Sequence, residues 1–559
     1  MKHLALALVL LAAALPARAQ LPAQPPADLI VTAQHIYTVD PDRPVVQAFA
    51  VRDGRILFAG SVREAMALKG PRTRVLELGD RAVIPGITDA HLHLLGVGMA
   101  LRSVSLTGTR SYDEVIQRVA ARAREVGKGE WIRGRGWNQN DWPGMQFPTH
   151  EALSRAVPDN PVVLERVVGH AVLANARAME AAGVTAATPD PAGGRIVRTA
   201  DGSPSGVFVD NAQAIIGRVV PPPSREETRA AILAAVAEGN KWGLVGVHDP
   251  GVSQQTIALY EELARAGRFN LRDYVMVDGD SADVAQAYQR GPQTALYDGH
   301  LWIRAIKLWA DGALGSRGAK LLEDYADDPG NRGLWVTDTN VIRATAMSAL
   351  RHGFQLCVHA IGDQANRAVL DAYEAALDSV PTADHRFRIE HAQIVSHQDI
   401  PRFAELGVIP SMQTTHQTSD MYWAMNRLGW TRVQGAYAWR SLLNTGVIIP
   451  NGTDAPVEAV NPMRTFHSAI TRQDADGWPV GGWFPDQRMT REEALESMTI
   501  WPAYASFEES VAGSISPGKY ADFVVLDQDI MTVAPERILD TQVVMTVLGG
   551  ETVYARSAR

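Results

Sequence analysis

Cysteine is nearly missing from this chain. Cys357 is the only one in 559 residues, so no intrachain disulfide can form and the folded chain must rest on its core. That cysteine sits inside the apolar run Gln355 to Val358, which makes it a buried structural thiol rather than a nucleophile. A basic tract is also lacking. The net charge of -9 is spread along the chain, which excludes nucleic acid and acidic membrane surfaces as partners. No apolar run reaches the roughly 20 residues that span a bilayer. The longest N-terminal one, Leu4 to Leu15, follows Lys2 and His3 and precedes Ala17-Arg18-Ala19. This pattern predicts a signal peptide over 1–19, cleavage after Ala19, and a periplasmic or secreted protein with no membrane anchor in its mature form. No cysteine follows the cleavage site to carry a lipid. Internal repeats and low-complexity linkers are absent, and 46% hydrophobic with 21% charged residues describes a large globular chain with ample core.

What is present begins with Pro85-Gly86-Ile87-Thr88-Asp89-Ala90-His91-Leu92-His93. In an extended segment residues i and i+2 face the same side, so His91 and His93 can reach one ion. Later apolar runs end in further polar groups: Lys307, His359, His391 and Asp454. Imidazoles and a carboxylate suit a divalent metal such as Zn²⁺. Lys307 does not, because an ammonium cannot coordinate a cation; it has either a structural ion-pair role or has become an anion.

The ordered stretches PGITDAHLHL (85–94), GRGWNQNDWP (134–143), KLWADGALGSRGA (307–319), CVHAIGD (357–363), RIEHAQ (388–393), NGTDAPVE (451–458) and GSISPGKYADFVVLD (513–527) resemble the amidohydrolase superfamily. Within it they are similar to the branch of YtcJ-like metal-dependent hydrolases (amidohydrolase family 3) that includes N-substituted formamide deformylase. The resemblance implies that Lys307 is carbamylated and bridges two divalent ions, with zinc the expected metal. His91, His93 and Asp454 would hold one ion, and His359 and His391 the other. A hydroxide between them would attack an amide, N-acyl or N-formyl carbon, while Asp454 takes its proton and passes it to the leaving nitrogen. The partner is then a small amide-like molecule, with a homodimer as the oligomer allowed. An esterase, lactonase or phosphotriesterase on the same scaffold is the alternative, and a non-catalytic binding protein is disfavoured because every ligand is in place.

Apolar strands at 82–87, 245–248, 271–276, 303–308, 354–358, 386–390, 408–412 and 446–451, separated by helical stretches such as Glu226 to Asn240 and Gln364 to Ser379, predict an α/β protein built on a (β/α)₈ TIM barrel. Its chemistry belongs at the C-terminal ends of the strands. The barrel is expected over 84–512, with an inserted subdomain at about 110–225 after strand one. Segments 20–83 and 513–559 are expected to form a composite β-sandwich domain. Asp89 and Glu390 are expected to accept imidazole N–H groups. The loop carrying Trp137, Asn138 and Trp142 is composed either to cover an apolar substrate or to pack the insertion against the barrel. The family usually has Asp at the position of Asn138. His170, His248 and Arg317 are further substrate-facing candidates, and His416 is the candidate for a transition-state hydrogen bond.

Overall fold

A computed structural model describes residues 26–557; the segment 1–19, expected above to be a signal peptide, lies outside the described residues. The chain first lays down strands Ala27–Tyr37, Val45–Arg52, Arg55–Gly60 and Lys69–Glu77. They join Phe523–Leu526, Val543–Leu548 and Glu551–Ala555 from the other end in one eight-stranded sheet. The link is Ala82–Pro85, parallel to Ala27–Tyr37 on one side and antiparallel to Phe523–Leu526 on the other.

The run 82–87, read above as one strand, is two. Gly86 divides it: residues up to Pro85 belong to the terminal sheet, and Ile87–Asp89 starts the barrel. A Cβ at Gly86 would stand 2.3 Å from Val245 Cγ2, so the two sheets approach here through a position with no side chain.

Seven parallel barrel strands follow in sequence order around the sheet: Ile87–Asp89, Leu244–Val252, Arg272–Asp278, Leu301–Trp309, Gln355–Ala360, Arg388–His391 and Ile409–Ser411. The run 446–451 does not form the eighth ladder expected of it. Pro450 lacks an N–H to donate, and this part of the chain closes the ring through single bridges, Asn451 to Met412 and Ala455 to Leu92. Asn451 carbonyl accepts from Ala90, and Asp454 N–H donates to His91 carbonyl at 2.7 Å. Helices Arg225–Lys241 and Asp363–Ser379 lie where alanine and leucine spacing placed them. The first opens on a capping box of Ser224 with Glu227.

Between the first and second barrel strands a six-stranded sheet is built from Val104–Ser105, Ile132–Trp137, Val162–Arg166, Ala171–Ala174, Pro204–Asp210 and Gly194–Arg198, in that spatial order. It carries its own apolar core and stands over the barrel mouth. Among the described residues, no helix is long and apolar enough to cross a membrane.

Candidate metal centre

His91 and His93 emerge just past the first barrel strand, and His93 is the residue from which helix Leu94–Arg102 departs. Asp454 follows the segment that closes the ring and holds a left-handed backbone, φ 54°. Such a conformation costs a non-glycine residue of order 1–3 kcal/mol, and here it turns the carboxylate toward the histidines. Asp454 Oδ1 lies 3.2 Å from His93 Nε2 and 3.6 Å from His91 Nε2, while Oδ2 lies 3.7 Å from His416 Nε2. Ligand atoms of His91, His93 and Asp454 all fall within 4.8 Å of one another, and so do those of His391, His416 and Asp454.

The second trio includes His416 where His359 was expected. The His359 ring is 4.6 Å from that of His391, but its Nε2 sits 3.5 Å from Asp311 Oδ1. Lys307 is buried in the fourth strand and lines the same cleft. Among the described residues it forms no ion pair, and its ammonium is 4.8 Å from the Trp309 ring.

Electrostatics prepares these groups to bind a cation. Burial holds His91 down to about 4, and pushes His359 and His391 well below, and His416 below, the ordinary imidazole value. Near neutrality the rings are therefore uncharged, with a lone pair free. Burial would raise Asp454, but the approach of His93 and of the other imidazoles outweighs it and keeps the carboxyl well below its usual range. Burial likewise lowers Lys307. Among the described residues, the Nε2 atoms of His91 and His359 are buried with no hydrogen-bond partner, a cost of about 1–3 kcal/mol each that a metal ion would remove, and His416 Nε2 is likewise buried and unpartnered. The donor set fits a divalent ion.

The tautomers agree with this. His91 Nδ1–H donates to Glu390 at 2.5 Å and His391 Nδ1–H to Gln413 Oε1 at 2.7 Å, leaving each Nε2 as the coordinating atom. Burial would raise Glu390, yet Arg388 and His91 hold it well below the carboxylate range.

Residues 74–554 match the model of an amidohydrolase family. The chain belongs to that family. It is 33% identical over 530 residues to amidohydrolase YtcJ of Bacillus subtilis (strain 168), spanning 93% of this chain and 98% of that protein. It is 29% identical to N-substituted formamide deformylase of Arthrobacter pascens, over 95% and 99% of the two chains. A solved structure of an uncharacterised metal-dependent hydrolase from Pyrococcus horikoshii OT3 superposes with a TM-score of 0.74 at 27% identity, covering 91% of this chain and 99% of that one. The resemblance read from the motifs is borne out.

For this amidohydrolase the remaining candidates divide by position. A cleft of about 2140 Å³ runs between the barrel mouth and the inserted sheet, lined by the metal-centre residues together with Asn138 and His170. His170 reaches into it from the insertion, its Nδ1 2.7 Å from Asp210 Oδ1 and its ring 5.6 Å from that of His359. Asn138 spends its carbonyl on Arg166, at 2.6 Å.

Four expectations need correction. Trp137 and Trp142 do not cover the cleft: both are buried and stacked on each other at 5.9 Å, with indole N–H groups donating to Leu164 and Thr109 carbonyls. They form the insertion's core, because an indole whose N–H finds a backbone acceptor gains most from full burial. His248 points into the barrel beneath the site, accepting at Nδ1 from Arg388 and packing on Tyr274. Arg317 turns away to a two-bonded pair with Asp327. Asp89 accepts no imidazole proton; it takes Thr453 Oγ1–H at 2.6 Å and the backbone N–H groups of Thr453 and His91, so it ties the Asp454 loop to the first histidine.

Sequence reasoning passed over Asp311 and Arg388. Asp311 accepts backbone N–H bonds from Lys320, Ile361 and Gly362, a carboxylate pinning the loops after the fourth and fifth strands. Its signal was the spacing Lys307-Leu308-Trp309-Ala310-Asp311, an acid just past a ligand-bearing strand.

Proposed function

We propose that this amidohydrolase is an exported, metal-dependent enzyme that hydrolyses the C–N bond of small N-acyl or N-formyl amides. The observation that carries the reading is Asp454. It is an ionised carboxylate in strained backbone, in contact with His91, His93 and His416 at the floor of a cleft. His91, His93, His359, His391 and Asp454, with Lys307 in carbamylated form, would hold two divalent ions, with zinc expected. When bound, such ions polarise the substrate carbonyl and lower the pKa of water.

The chain's own groups do the rest. Asp454 receives a proton from the attacking water and delivers it to the departing nitrogen, which leaves as a neutral amine rather than an amide anion. His416, buried and neutral, stands beside Asp454 to meet the developing oxyanion. Lys307 is a desolvated primary amine with no carboxylate partner among the described residues, the state in which an amine adds to CO₂ and loses a proton. The deformylase relative acts on formamides by its name, which supports a C–N bond as target. We read the terminal sheet as the composite domain of segments 20–83 and 513–559, and the six-stranded sheet as a subdomain inserted in the barrel.

The test is turnover of matched aryl amides, formamides and esters by zinc-reconstituted protein. Amide turnover should exceed that of the esters, relative to their uncatalysed rates. Asp454→Asn should lower kcat by about 10²–10⁴-fold with KM changed little. Ester-only turnover, or an Asp454→Asn protein with wild-type kcat, contradicts the reading.

A further inference from the structure

The barrel interior below the metal centre is polar where apolar side-chain layers would be expected. Arg388 and Glu390, two apart on the sixth strand, both point inward, and neither has any solvent exposure. Arg388 Nε contacts Glu390 Oε1 at 2.7 Å, and its Nη2 donates to Glu390 Oε2 at 3.0 Å. The same guanidinium donates to Ala90 carbonyl at 2.8 Å, to Ser411 Oγ at 2.9 Å and to His248 Nδ1 at 2.8 Å. One side chain therefore joins the second, sixth and seventh strands to the residue immediately before His91.

Burying a guanidinium and a carboxylate costs several kcal/mol per ion before their attraction is counted, and an apolar replacement is often as stable. Stability alone does not explain the pair. Its geometry does. Glu390 fixes His91 Nδ1–H, and Arg388 fixes both Glu390 and the Ala90 carbonyl. The imidazole is thus held from its ring and from its backbone, with Nε2 turned to Asp454.

We infer that Arg388 is a positioning residue for the metal centre: it orients Glu390 and the Ala90–His91 backbone so that His91 Nε2 is set for the ion shared with His93 and Asp454. This rests on the metal-centre reading above. His248, neutral through burial and the neighbouring Arg388, serves as the acceptor that completes the guanidinium's bonding.

The experiment is zinc titration of metal-free protein against a chromophoric chelator, for wild type, Arg388→Met, Arg388→Lys and His248→Ala, with melting of each metal-free form measured alongside. Arg388→Met should lose about 10–100-fold in affinity for one zinc, with Arg388→Lys recovering part of it. His248→Ala, which keeps the charge pair and removes one anchor, should lose several-fold, so a Met variant that fails to fold leaves the inference testable. A purely structural role would lower the melting temperature and leave zinc affinity unchanged; unchanged affinity in the folded variants overturns the inference. A wild-type protein that binds no zinc overturns the metal-centre reading beneath it.

Discussion

Glu508 shows how a single buried acid sets a pH response away from the active site. It is almost fully buried near Arg272 and Asp522, and burial pushes its carboxyl from 4.5 up to about 8, against the opposing Ser506 hydrogen bond and Arg272 charge. Between those two values the folded chain keeps a proton that the unfolded chain has released. The group's contribution to stability is therefore present in acid and declines as pH rises through the window. Glu508→Gln, which cannot ionise, should flatten the fall in denaturation midpoint between about pH 5 and pH 8; parallel profiles for the two proteins would contradict this.

Within elements, the helix that leaves His93 is positioned by contact with its neighbour. Gly98 on Leu94–Arg102 faces Arg225–Lys241 so closely that a Cβ would stand 2.0 Å from the Ala231 carbonyl oxygen. Gly98→Ala must push the helices apart. It should cost about 1–3 kcal/mol in a denaturant titration and weaken zinc binding through His93; a neutral result on both would show that the helix position does not matter to the site.

The same scale shows what could be read in advance. That His91, His93, His359, His391 and Asp454 share one cleft was legible because the strand ends of a parallel barrel gather at its C-terminal mouth, and the motifs are local in sequence. The break at Gly86 was not, since it depends on Val245 in a strand more than 150 residues away. The closing segment was misread as a strand because apolar residues with β-propensity carry no record of whether their N–H groups find a ladder. Composition left Trp137 and Trp142 open between covering the cleft and packing the insertion against the barrel, and their contacts, with acceptors at Leu164 and Thr109, place them instead in the insertion's own core. Arg388 and Glu390 had a readable signal, two charges at i and i+2 on either side of Ile389, which alternation places on one face of the strand.

At the scale of the whole molecule, the barrel and the inserted sheet meet at one cleft, and the terminal sheet packs on the barrel away from it. The terminal sheet is locked to the barrel by the buried Arg272–Asp522 pair, 2.6 Å at the shorter contact, with Tyr520 stacked on the guanidinium at 3.6 Å. The inserted sheet brings His170 and Asn138 over the mouth, and the barrel supplies the candidate metal-centre residues and the buried Arg388–Glu390 pair behind His91. Metal content per chain, by elemental mass spectrometry on protein purified without chelator and with Lys307→Ala alongside, tests this most directly. The account predicts about two divalent ions per wild-type chain and a sharp loss in the variant; no bound metal in the wild type, even after reconstitution with zinc and bicarbonate, would contradict it.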